Sequence, residues 1–259
     1  MPYLELDTSL LDAAQAACIA LPAAGVPAAL LRLGGRGWSL VAPLSIIVSI
    51  GVIALTDVGA DVLTWTALLL VPPSCALAFG WAAHGARPPL AVLALPALAL
   101  ALAAPDDPMG RAGRLVLIVG SVVTVGRLLA GAAPLALLKV GVVAMATIDA
   151  IVIFGDLFDR ENALFDAAAP APGLPRLQVA EVGDASIDYG DFFVAGLVGG
   201  ILAAERRPQL AAAIAAFAVM QAFNQLYLVV DSLPGTIPPA LVMLAASARQ
   251  LPVAREPAG

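Results

Sequence analysis

Apolar runs separated by short polar breaks recur along the whole chain. A membrane-crossing helix needs about 20 apolar residues at ~1.5 Å rise each. On that measure the pattern predicts nine spans, over 10–31, 38–56, 62–83, 88–104, 115–132, 134–155, 186–204, 209–230 and 237–249. The breaks carry Arg32, Arg36, Asp57, Arg87 and the stretch "APDDPMGRAGR". "VPPS" predicts a kink in the third span, and the ninth is short for a full crossing. The longest connection, 156–185, mixes acids with Pro and Gly and reads as a mobile loop with a short helix near "RENALF". No repeat is evident. The expected fold is all-α: a single polytopic membrane domain over 1–259, with five spans in 1–133 and four in 134–250.

Composition agrees with that pattern. The 259 residues are 61% hydrophobic and only 12% charged, about half the charge of a soluble domain. A net charge of −6 argues against nucleic acid as a partner. Cys18 and Cys75 both lie in apolar runs and read as packing residues. The first ten residues hold Glu5 and Asp7 but no Lys or Arg. They lack the basic start of a cleaved signal peptide, so the first span is expected to be retained.

Lys and Arg placement predicts orientation. With the N-terminus outside, the cytoplasmic side holds Arg32, Arg36, Arg87, Arg127, Lys139, Arg206, Arg207, Arg249 and Arg255. The outside holds Arg111, Arg114, Arg160 and Arg176. The expectation is an integral protein of a prokaryotic plasma membrane, N-terminus out and C-terminus in.

Against this background two acids stand out. Asp149, in "ATIDAIVIFG", lies about 9 Å inside the end of span six, too deep for a short side chain to reach water. Asp191, in "SIDYGDFFVAGLVGG", lies similarly on span seven. A charge at mid-membrane costs ~2.5–3.5 kcal/mol on insertion scales, so each acid needs a proton, a partner or a wet cavity. If the two meet in a low-dielectric place they cannot both ionise. One then takes a proton from water while the other gives one to a carbonyl oxygen. Gly190 before Asp191 permits close backbone approach. Pro238 and Pro239, opening span nine in "LPGTIPPALVML", remove backbone donors and leave nearby carbonyls free to line a cavity.

These residues resemble the motifs of the presenilin and signal peptide peptidase-type intramembrane aspartyl proteases. In that family one Asp lies on span six, a second lies in G-x-G-D on span seven, and P-A-L opens span nine. Asp149 matches the first, Gly190 and Asp191 the second, and Pro239, Ala240 and Leu241 the third. Ile148 stands where Tyr is usual, and Asp188 replaces the first Gly of G-x-G-D. The resemblance covers 134–250 by motif and the rest by span number. It implies a presenilin-like bundle that hydrolyses peptide bonds of transmembrane segments with an Asp149/Asp191 dyad. Gly190, Pro239, Ala240 and Leu241 would bind substrate. No metal or organic cofactor is implied. The partners are membrane-protein or signal-peptide substrates and the bilayer itself.

Rival readings use the same residues. Intramembrane acids also serve proton- or cation-coupled transporters and channels, and Asp188 in the motif's Gly position fits an inactive scaffold. A type IV prepilin peptidase shares G-x-G-D, but Pro-Ala-Leu fits the presenilin type better. Asp184, Asp188 and Asp191 would share a helix face if span seven began early, though a wet loop with capping acids is the simpler reading. Lys139 lies ~15 Å along the helix from Asp149. His84 is the only histidine and reads as interfacial. Gln221, Asn224, Gln225 and Tyr227 form a polar patch on span eight, read as interhelical glue.

Overall fold

The computed structural model describes residues 2–24, 34–55, 58–155, 168–230 and 232–248. Its α-helices, among the described residues, are α1 (Pro2–Ala20), α2 (Val41–Leu55), α3 (Gly59–Leu77), α4 (Ala94–Ala103), α5 (Pro108–Ala132), α6 (Leu135–Phe154), α7 (Tyr189–Ala204), α8 (Gln209–Phe223) and α9 (Ile237–Ala248). Each falls on one expected apolar run, but the ends differ. α1 begins well before residue 10 and stops at Ala20, where Pro22 bridges to Ala83. The run 88–104 is a 3₁₀ segment, Pro88–Leu93, leading into α4. α5 starts at Pro108, whose missing N–H is no loss at a first helical turn.

Four helical segments are long and apolar enough to cross a membrane: Gly59–Ala82, Pro108–Ala132, Leu135–Phe154 and Gln209–Leu228. Pro88–Ala103, Tyr189–Ala204 and Ile237–Ala248 are shorter apolar helices. The protein is therefore a membrane-embedded helical protein. Large apolar side chains such as Leu69, Val140, Ile151, Leu210 and Ile214 point outward, as a lipid-facing surface requires.

One element departs from the all-α expectation. β1 (Val179–Val182) and β2 (Ala185–Asp188) pair antiparallel as a hairpin, with Val182 opposite Ala185. Gly183 turns it with a φ of +56°, a left-handed conformation that glycine adopts without strain. Its tip meets the start of α5: Arg111 Nη1 donates to the Gly183 carbonyl at 2.7 Å, and Arg114 Nη2 pairs with Glu181 Oε2 at 2.8 Å. Arg176 pairs with the other Glu181 oxygen. Burial alone would raise the Glu181 carboxyl. The Arg114 hydrogen bond and the charges of Arg114, Arg176 and Arg111 outweigh it and hold Glu181 below its ordinary value. The expected helix near "RENALF" lies outside the described residues.

α7 is the axis of the bundle. Phe192 to Ala203 are all buried, as for a helix that is apolar all round. Glycines let its neighbours approach. A Cβ on Gly196 would lie 2.5 Å from the Val122 carbonyl oxygen of α5, and one on Gly199 2.5 Å from the Cys18 oxygen of α1. Gly126 and Gly200 meet the same α5–α7 seam. Cys18 and Cys75 are buried, unpaired thiols.

The costly polar side chains find partners. Arg127 lies 4.1 Å over the Trp81 ring and donates to the Trp81 carbonyl, which belongs to the π turn Ala78–Ala82 that ends the third span. Lys139 pairs with Glu205 Oε1 at 2.5 Å. His84 Nε2 lies 3.2 Å from Gln209 Oε1.

Candidate active site

The hairpin delivers the chain into α7 in a fixed register. The Tyr189 N–H donates to the Gln178 carbonyl at 2.8 Å, and its hydroxyl shares a 2.8 Å hydrogen bond with Ser121 of α5. Asp188 precedes the helix with extended backbone, φ −75° and ψ 155°. Any residue adopts that conformation, so the place where the motif has Gly does not need one here. Because α7 begins at Tyr189, Asp184 sits in the hairpin turn and Asp188 on β2, and the three acids do not share a helix face.

Asp191 lies in the first turn of α7. The segment leading into α9 crosses directly over it. A Cβ on Gly235 would stand 2.7 Å from the Asp191 carboxyl carbon and 2.7 Å from its Oδ2. The next residue, Thr236, donates its hydroxyl to Asp149 Oδ2 at 2.6 Å. Two consecutive residues thus touch both acids. That chain of contacts limits the carboxyl separation to at most about 13 Å.

The Gly235–Thr236 segment is held from the far side by α1. Gln15, 1% exposed, donates its side-chain amide to the Asp191 carbonyl and to the Gly235 carbonyl, each at 3.0 Å. Beside it a cavity of about 870 Å³ opens onto Asp191, lined by Asp12, Gln15, Gln221, Asn224, Gly235 and Pro238 among others. Asp12 is 4% exposed and accepts from Gln221 Nε2 and Asn224 Nδ2, both at 2.7 Å. The polar patch of α8 is therefore interhelical glue at those two positions, and it also walls the cavity. Asp149 is not among the lining residues; it meets this segment through the Thr236 hydroxyl.

The other expected site residues separate into two groups. Pro239 and Ala240 are buried in the first turn of α9. The two prolines occupy a helix start that needs no intrahelical donors there, so they do not free extra carbonyls. Leu241 is 50% exposed and lines a different groove, between α8 and α9. At Gly190 a Cβ would meet nothing nearer than Met145 Cε at 3.9 Å, so no close helix contact demands glycine there. Among the described residues no group of His, Cys, Asp or Glu is placed to hold a metal ion.

Asp12, Gln15, Gly235 and Thr236 were not singled out from the sequence. The first two had a usable signal: a carboxyl and an amide one helical turn apart within an apolar run share a face. Thr236 and Gly235 had only their place ahead of the Pro-Ala-Leu element. Compared with family models, with curated proteins and with solved structures, the chain matches none.

Proposed function

We propose that the protein is an intramembrane aspartyl protease, with Asp149 and Asp191 as its acid–base pair. The observation that carries this reading is the convergence of α6, α7 and the start of α9: both carboxyls contact one dipeptide, Gly235–Thr236. In the proposed reaction one carboxylate takes a proton from water as that water adds to the scissile carbonyl. The other carboxyl protonates the carbonyl oxygen; as the C–N bond breaks, the first passes the water's proton to the leaving amine and the second regains a proton from the diol hydroxyl. The 870 Å³ cavity beside Asp191 gives water and a locally unwound substrate segment room within the bundle. Pro239 and Ala240 act by fixing the approach of Gly235 and Thr236. The reading also includes nine crossings, with the hairpin outside the cytoplasm and Arg206 and Arg207 inside.

The test is cleavage of a fluorogenic transmembrane peptide by purified protein in lipid. Asp149→Asn and Asp191→Asn should each remove nearly all turnover. Full cleavage by Asp191→Asn would reject the mechanism. A second reading, a proton or cation pathway, is favoured by the acid-lined cavity that joins Asp12 to Asp191. Proteoliposomes decide between them: that reading requires ion flux lost in Asp191→Asn, with no peptide hydrolysis in the parent protein.

A further inference from the structure

Away from the acids, α8 and α9 leave a groove of about 490 Å³ between them. It begins at Arg207 and runs past Ala211, Ala215 and Val219 on one wall and Ala245 and Leu241 on the other. From Pro208 to Val219 it follows about 16 Å of helix. That is close to half of a ~30 Å hydrocarbon core, the depth of one leaflet. Volume over length gives a width of about 6 Å. That is narrower than a helix, about 10–12 Å across, and wide enough for a single hydrocarbon chain. Ala211 and Ala215 are exposed; larger side chains on those turns would fill the space.

The polar end of the groove is cationic. Arg207 Nε pairs with Glu205 Oε2 at 2.9 Å, and its Nη1 donates to the Ala246 carbonyl. Its Nη2 is buried with no hydrogen-bond partner among the described residues. Glu205 also neutralises Lys139, and Arg206 is exposed alongside. Two of these cations share one carboxylate, so the mouth of the hydrocarbon slot keeps excess positive charge.

We propose that this groove holds one acyl chain of an anionic phospholipid, whose phosphodiester pairs with the cationic mouth formed by the Arg207 guanidinium and Arg206. Charge selects the headgroup. A zwitterionic lipid would bring its own ammonium to a mouth that already has excess positive charge. Depth and width select the chain. The groove shares no lining residue with the cavity at Asp191 and does not depend on the protease reading.

The experiment is native mass spectrometry of the full chain extracted from bilayers of equal phosphatidylglycerol and phosphatidylcholine with identical acyl chains. One phosphatidylglycerol should be retained in preference to phosphatidylcholine. Arg207→Gln should reduce that preference roughly tenfold or more, as expected for loss of a charge-assisted hydrogen bond. Ala215→Phe fills the slot from an exposed position and should lower retention of both lipids, and it decides the matter if Arg207→Gln fails to fold. Equal retention of the two lipids, full retention in Ala215→Phe, or displacement by inorganic phosphate would each overturn the assignment.

Discussion

Gly235→Ala separates the site from the fold. The added Cβ would stand 2.7 Å from the Asp191 carboxyl carbon, where ordinary contact needs about 3.5 Å. Something must retreat by about 0.8 Å. The obstacle is the end of one side chain, so the carboxyl can turn away at a cost of ~0.5–1.5 kcal/mol for an off-rotamer shift. Misplacing a reacting group by about 1 Å costs on the order of 100-fold in rate. Gly235→Ala should therefore unfold within a few degrees of the parent and cleave 30- to 100-fold more slowly, by order of magnitude. Gly196→Ala is the control. Its Cβ would meet the Val122 backbone oxygen at 2.5 Å, which cannot swing aside, and overpacking of that kind costs ~1–3 kcal/mol of stability. Peptide cleavage and thermal unfolding followed by tryptophan fluorescence read the two effects in one preparation. Parental turnover in a folded Gly235→Ala protein would show that the Asp191 carboxyl is not at the reacting centre.

Thr236→Val deletes the donor to Asp149, and turnover should fall ~10- to 100-fold, the worth of a hydrogen bond to a charged group; Thr236→Ser should restore most of it. Glu181 has its folded value depressed by its arginines. Its contribution to stability should be fully present above the ordinary glutamate range, near pH 4.3, and be lost as pH falls through the lower folded value. Hydrogen exchange of the hairpin amides should speed up across that window, and Glu181→Gln should remove the pH dependence. Cysteine placed at Ser186 should label from the cell exterior, while cysteine at Arg206 should label only after permeabilisation; the reverse pattern would invert the proposed orientation.

The helices were legible because an apolar run of membrane length admits few other structures. Their ends were less so. Hydropathy does not distinguish α-helix from the 3₁₀ and π turns that begin the run at Pro88 and end the one at Ala82. The hairpin had a readable signature that loop composition obscured: Gly183-Asp184 between two short alternating stretches is a two-residue β-turn signal. Asp149 and Asp191 stood out because an acid in an apolar run is expensive wherever it sits. Gln15 and Thr236 did not, because an amide or a hydroxyl in an apolar run is cheap enough to pass as packing. Motif membership says nothing about which side of a helix a residue faces, and Leu241 lines the α8–α9 groove.

The bond between Gln15 and the Gly235 carbonyl joins residues 220 positions apart in sequence, and this has a consequence for biosynthesis. The ribosome makes α1 first and α9 last. Both acids are made well before Gly235 and Thr236 exist to set their approach. A chain interrupted after α8 carries Asp149 without its hydroxyl donor and Gln15 with one carbonyl missing. The contacts that join the two acids are thus complete only once the segment leading into α9 has been made.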